Sequence, residues 1–260
     1  GNAACVAAAT KLPAQLSQSY TNVAEIFGGV CRFQHGKVMS VRFILARMDQ
    51  LNPEEKFEFR KKSGDVLIIA CGALAREMVA LIEMNRWSHL DIQCLPAIWH
   101  NTPDKIPDGV RNAIHRARAS ERYREIFIAY GDCGTGGLLD KVIEEEGVKR
   151  IDGPHCYSFF SGNDKWAAHQ DDELTAFYLT DYLARHFDTL VWEGFGMAAH
   201  PELRDMMFSN YTKVVYLAQT EDENLQEMAK QAALKLQLDY EYRFTGYGDL
   251  ERDMAALETT

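Results

Sequence analysis

The apolar residues change period along the chain, and the changes mark out its elements. "VLIIAC" (66–71) is a short unbroken apolar run, and "ALAREMVALIEMN" after it repeats apolar residues at helical spacing. The pair reads as a buried strand feeding a helix. "LDIQCLP" (90–96) reads as a strand, "IPDGVRNAIHRARAS" (106–120) as a helix with a proline near its start, and "EIFIAY" (125–130) as a third strand. "GGLLDKVIEEEG" is a helix closed by Gly147, and "VKRIDG" a short fourth strand. Strands separated by helices of about ten to fifteen residues imply parallel strands joined by right-handed crossovers. The expected fold class is α/β: a Rossmann-like parallel sheet with helices on both faces.

Beyond Tyr157 the pattern turns more helical. "DELTAFYLTDYLARHF" (172–187) carries apolar and aromatic residues on one helical face, with Thr180, Asp181 and Arg185 expected on a solvated side. "TLVWEG" and "TKVVYLAQ" read as strands, "ENLQEMAKQAALKLQL" as a strongly periodic helix and "DYEYRFTG" as a last strand. No linker or internal repeat interrupts this. One α/β domain is expected over 63–260, with two lobes, preceded by an extension over 1–62.

Composition narrows the function classes. The chain has 260 residues, 47% of them apolar, enough for a sizeable core, and no 18-residue apolar run that would span a bilayer. Its 28 basic and 38 acidic residues leave a net charge of -10, which argues against nonspecific binding to nucleic acid or an anionic membrane. From Gly1 to Met48 the only acid is Glu25, against Lys11, Arg32, Lys37, Arg42 and Arg47. That bias resembles an organellar transit segment; the expected location is an organellar matrix on that reading and the cytoplasm otherwise. The six cysteines include no CxxC pair and are expected to be reduced thiols.

Candidate chemistry gathers at the strand ends. In an open parallel sheet, ligands sit beyond the carboxyl ends of the strands. There the four strands deliver Cys71 and Gly72, then His100 and Asn101, then Asp132, Cys133 and Thr135, then His155 and Cys156. Each strand therefore ends in a side chain able to bind a metal or to act as nucleophile or base. Cys94, inside its strand, is expected in the core, and Glu77, on the helix after Cys71, is expected to be solvated or paired. The glycines Gly134, Gly136 and Gly137, with Gly72 at the neighbouring strand end, could cradle an anion with backbone amides, although neither a P-loop nor a GxGxxG pattern is present.

Three readings of the cluster remain open. Thiolates and imidazoles suit zinc, with Cys71, Cys133, Cys156 and His155 as preferred ligands and His100 as fourth ligand or base. Three thiolates also suit an iron–sulfur cluster. Without a metal, Cys133 could be a nucleophile with His155 as its base, in a site that also holds Asp132, Thr135 and His100.

The segments "IIACGALARE", "CLPAIWHNTPDKI", "YGDCGTGGLLD", "GPHCYSFFSG", "FYLTDYL", "HPELRD" and "YTKVVYLAQT" resemble an uncharacterised prokaryotic family, domain of unknown function 1638, from about Val66 to Gly248. "LTAF" departs from the family form, which has a glycine just before the threonine–phenylalanine pair. The resemblance transfers no reaction. It implies a setting, because such proteins are encoded beside corrinoid-dependent methyltransferases acting on methylamines, where a zinc enzyme usually holds a thiol acceptor as thiolate. The expectation is a metal-dependent enzyme, using zinc or an iron–sulfur cluster, that acts on a small polar metabolite in one-carbon or methylamine metabolism. Its partners would be that substrate, a corrinoid methyltransferase system and further copies of itself. The alternative is a non-catalytic accessory protein carrying a metal, a corrinoid or an anion.

Overall fold

A computed structural model describes residues 64–169 and 174–257, with 31–32, 38–39, 53–54 and 56–59. Strands β1 (Cys31–Arg32) and β2 (Val38–Met39) pair antiparallel. Strand β3 (Phe57–Phe59), in the stretch expected to precede the domain, is instead an antiparallel edge of the main sheet, with Phe57 buried in its core. The transit-like stretch before residue 49 lies almost wholly outside the described residues.

Strand β4 (Val66–Cys71) is buried at every position, as a central parallel strand covered on both faces must be. Strands β5 (Leu90–Leu95) and β6 (Glu125–Ala129) flank it in parallel, and β7 (Lys149–Arg150) extends β6. The order β3-β5-β4-β6-β7 means that successive crossovers leave β4 in opposite directions. The crevice where the winding reverses lies at the carboxyl end of β4.

The helical periods hold where the sequence places them. Helix α1 (Ala75–Asn85) follows β4, α2 (Lys105–Ala119) follows β5 and α3 (Leu138–Glu146) follows β6. In α2 the buried residues Ile106, Val110, Ala113, Ile114 and Ala117 make one stripe. Each large aliphatic side chain so buried contributes about 1.5–3 kcal/mol.

A second sheet forms the other lobe. Strands β8 (Ala176–Leu179), β9 (Lys213–Ala218) and β10 (Asp239–Phe244) are all parallel, with β9 central. Between the sheets run α4 (Cys156–Ser161) and α5 (Asn163–His169). Between β8 and β9 come α6 (Asp181–Arg185), a π-helical turn (Asp188–Glu193) and α7 (Leu203–Phe208). Helix α8 (Glu223–Leu236) joins β9 to β10, and α9 (Gly248–Ala255) returns to pack on α4, putting Leu250 and Met254 into the first lobe's core. The lobes also meet where α6 packs on the 3-10 turn Gly72–Leu74.

Two expected elements differ. The single helix expected over 172–187 is strand β8 followed by the short helix α6. Phe177 packs into the core shared with α8, while Tyr178 points to the opposite face of the sheet, the two-residue alternation of a strand. Thr180 then caps α6, its hydroxyl accepting from the Leu183 amide at 3.3 Å. The "TLVWEG" run is a π-helical turn rather than a strand: its backbone bonds within itself, Leu190 N–H to the His186 carbonyl at 2.9 Å and Phe195 N–H to the Val191 carbonyl at 3.0 Å, instead of to a neighbouring strand. Among the described residues no helix is long and apolar enough to cross a membrane.

Candidate functional site

Cys71 ends β4 and starts the following 3-10 turn, its sulfur accepting from the Ala73 amide at 3.3 Å. His100 comes from the 3-10 turn after β5 (Ala97–Asn101). Its Nδ1 lies 3.0 Å from the Ala97 carbonyl and 3.6 Å from the Cys71 sulfur. A carbonyl only accepts, so Nδ1 carries the hydrogen and Nε2 is the ring's basic nitrogen. Asn101 reaches the other lobe, donating to the Leu190 carbonyl at 3.3 Å.

After β6 the chain bends tightly. A Cβ on Gly131 would stand 2.6 Å from the Pro154 carbonyl oxygen and 2.7 Å from the His155 backbone, so only glycine lets the two loops close. The Cys133 amide seals the contact, donating to that same carbonyl at 3.0 Å. Cys133 itself adopts φ +49°, in the left-handed region. For a residue with a Cβ this costs about 1–2 kcal/mol.

The glycines beyond it do not cradle a phosphate, because the chain supplies its own anion. Asp132 accepts from the Gly137 amide at 2.7 Å, the Gly136 amide at 3.2 Å and the Thr135 hydroxyl at 2.8 Å. Burial by itself would raise the Asp132 pKa, but these donors and the Gly134 amide outweigh it and hold the carboxyl below its usual range. Asp132 and Thr135, expected among the working groups, are thus committed to the turn, and the anion site expected of Gly134, Gly136 and Gly137 is filled. Gly72 does another job: a Cβ there would lie 3.0 Å from the Leu95 carbonyl oxygen, so it lets the ends of β4 and β5 approach.

The loop after β7 delivers Cys156 as the first residue of α4. His155, beside it, turns away into an aromatic cluster, 4.7 Å from the Trp166 ring and 5.1 Å from Tyr157. Burial lowers its pKa, and its Nδ1 is buried without a hydrogen-bond partner. The base expected at His155 is therefore displaced from the thiols, and His100 stands in that place.

Cys71, His100, Cys133 and Cys156 do meet. They line one cavity with Tyr130 and Phe159, with room of about 10 Å³ for a water-sized occupant. Burial pushes the Cys71 thiol up to about 12, although the Ala73 amide opposes it, and burial likewise raises Cys156 and Cys94. These three thiols stay protonated at neutral pH. For His100, burial favours the neutral ring, but its interaction with Cys133 and the Ala97 carbonyl outweighs that and raises its pKa. The Tyr130 hydroxyl lies beside the Cys71 thiol yet has no partner at full hydrogen-bond geometry. Among the described residues, as their side chains stand, no three His, Cys, Asp or Glu could hold a metal ion together.

Two buried acids next to this cluster are not where the periodicity puts them. Glu77, on the first turn of α1, is only 3% exposed and has an oxygen without a partner. Burial, then the charge of Asp181, raises its pKa to about 7. Asp181, expected on a solvated face, is 1% exposed at the lobe junction. It accepts from the Tyr216 hydroxyl at 2.7 Å, the Gln219 amide at 2.9 Å, and the Thr220 hydroxyl and amide at 2.5 and 3.0 Å. The sequence cue for Asp181 is its place after an apolar run and a capping threonine. Glu77 carries no cue, since its burial and the Asp181 and Arg185 charges near it come from tertiary packing.

A family model described as "Protein of unknown function (DUF1638)" matches residues 94–254, a span containing His100, Cys133, His155, Cys156 and Asp181. The match begins at residue 94 rather than near Val66, so Cys71 and Glu77 lie outside it. No curated protein matches the chain. A crystal structure of a proposed carboxylesterase from Lactobacillus plantarum aligns over 78% of this chain and 87% of that one, at 13% identity and a TM-score of 0.20. A likeness that low carries nothing about fold or activity.

Proposed function

We propose a function from the site alone, because the chain belongs to the DUF1638 family, whose description assigns none. The protein is an enzyme acting on a small polar metabolite at the thiol–imidazole cluster of Cys71, His100, Cys133 and Cys156. The observation that carries this is the meeting of three thiols and an imidazole from four successive strand-end loops around one cavity at the sheet's switch point. One-carbon or methylated-amine metabolism is the proposed setting.

The test is a thermal-shift screen of small polar metabolites against the wild type and a Cys133→Ser/His100→Gln double variant, followed by turnover of whatever stabilises the wild type. A metabolite that stabilises and is turned over only by the wild type supports the reading. The reading fails if every stabilising metabolite acts equally on the double variant.

A second reading is favoured by the donor set. Three thiols and an imidazole are the ligand chemistry of zinc, and thiolates alone that of an iron–sulfur cluster. Cys71, Cys133 and Cys156 would hold the ion with His100 in place of His155, and the side chains would have to rotate inward to do so. When bound, a zinc ion would supply Lewis acidity or hold a thiolate. Elemental analysis and an absorption spectrum of anaerobically purified protein decide this: neither zinc nor iron near one per chain would sink it.

A further inference from the structure

We infer that Cys133 is the nucleophile of this site and that His100, not His155, is its general base. The inference rests on reading the cluster as a working centre and does not need an ion. Four observations carry it. Cys133 is, with Cys156, one of the cavity's two part-exposed thiols, whereas Cys71 is buried at the end of its strand. Its backbone is held in the left-handed region at a strand-to-helix turn, a strained conformation that the Cys133–Pro154 hydrogen bond and the Asp132 turn maintain. Strain of this kind in a residue with a side chain concentrates at working positions. His100 lines the same cavity as Cys133, and the Ala97 carbonyl at 3.0 Å fixes the ring with Nδ1 as donor.

These are the three parts of an activated thiol: nucleophile, base and a third group that orients the base. Cys71, 3.6 Å from the same Nδ1, is a poor competitor, because that nitrogen already carries its hydrogen and the thiol holds its own proton. In the step inferred, the Cys133 S–H proton passes to His100 and the sulfur forms a bond to an electrophilic carbon. The leaving group departs with the electron pair of the bond that breaks. The substrate class is a small molecule with one such carbon, and the cavity admits only its reacting end.

Iodoacetamide tests the pair directly. Its methylene carbon would bond to the Cys133 sulfur as iodide leaves with the C–I electron pair, while the proton goes to His100. Full-length protein is labelled at pH 7, untreated and after chelation with EDTA, and site-resolved mass spectrometry follows Cys71, Cys94, Cys133 and Cys156. Cys133 should label fastest, His100→Gln should slow it by about 10²-fold, and His155→Gln should leave it unchanged. Urea unfolding separates thiol from imidazole and needs no variant, so folded wild type should label at Cys133 faster than unfolded chain.

An equal rate in His100→Gln, an equal slowing by His155→Gln, or a faster rate in the unfolded chain overturns the pair. Protection of Cys133 until chelation also overturns it, because the thiol would then be a metal ligand. Each of these outcomes leaves the metabolite screen free to succeed, and the screen can fail while the pair reacts as expected.

Discussion

Replacing Glu77 by glutamine should change how stability depends on pH more than it changes stability itself. In the folded chain this carboxyl is 3% exposed, has a buried oxygen without a partner, and has a pKa raised from 4.5 to about 7 by burial first and the Asp181 charge second. Asp181 itself accepts hydrogen bonds from four donors. A rise from 4.5 to about 7 is worth about 3 kcal/mol at about 1.4 kcal/mol per pH unit. Because the folded pKa is the higher one, the folded chain keeps a proton that the unfolded chain has lost. Glu77 therefore costs nothing below pH 4.5, its destabilisation grows between pH 4.5 and about 7, and it levels off above that. Glutamine resembles the protonated acid in shape and has no proton to lose. Urea unfolding of both proteins from pH 5 to pH 8.5 should show the variant gaining on the wild type by roughly 2–3 kcal/mol across the window. Parallel curves, within about 0.5 kcal/mol throughout, would refute the burial of an ionisable Glu77 at the lobe junction.

Gly131→Ala should destabilise by about 1–3 kcal/mol, since its Cβ would meet the Pro154 carbonyl oxygen at 2.6 Å, whereas Gly136→Ala, with open space at φ +62°, should cost only about 1 kcal/mol. Thermal unfolding of the two variants compares them, and equal melting temperatures would contradict the close loop contact. Asp132→Ala should destabilise at pH 7, and the penalty should shrink as pH falls from 3.8 through the lower folded pKa, because a depressed carboxyl stabilises only while ionised. Acid titration followed by circular dichroism checks this. Asp181→Ala strands the Tyr216 and Thr220 hydroxyls and the Gln219 and Thr220 amides at the lobe junction, and should cost at least about 2 kcal/mol in urea unfolding.

Periodicity alone determined much of the first lobe. The unbroken run Val66–Cys71, the apolar stripes of α1 and α2 and the run ending β6 each agree with the structure, because burial on both faces of a parallel sheet writes directly into sequence. That placed Cys71, His100, Cys133 and Cys156 on one edge, and in the tertiary structure they line one cavity. Short elements were less legible: β8 and α6 share four and five residues of a stretch whose aromatics satisfy a strand and a helix equally well. Only the tertiary structure decided which neighbours at the edge face each other. His155 and Cys156 are adjacent in sequence, yet one turns into the Trp166 aromatics while the other turns to the thiols, because helix α4 begins between them. Glu77 and Asp181 look like solvated acids in sequence, yet tertiary packing leaves them 3% and 1% exposed. Burial of a charge depends on what the rest of the chain brings to it, and local pattern holds no record of that.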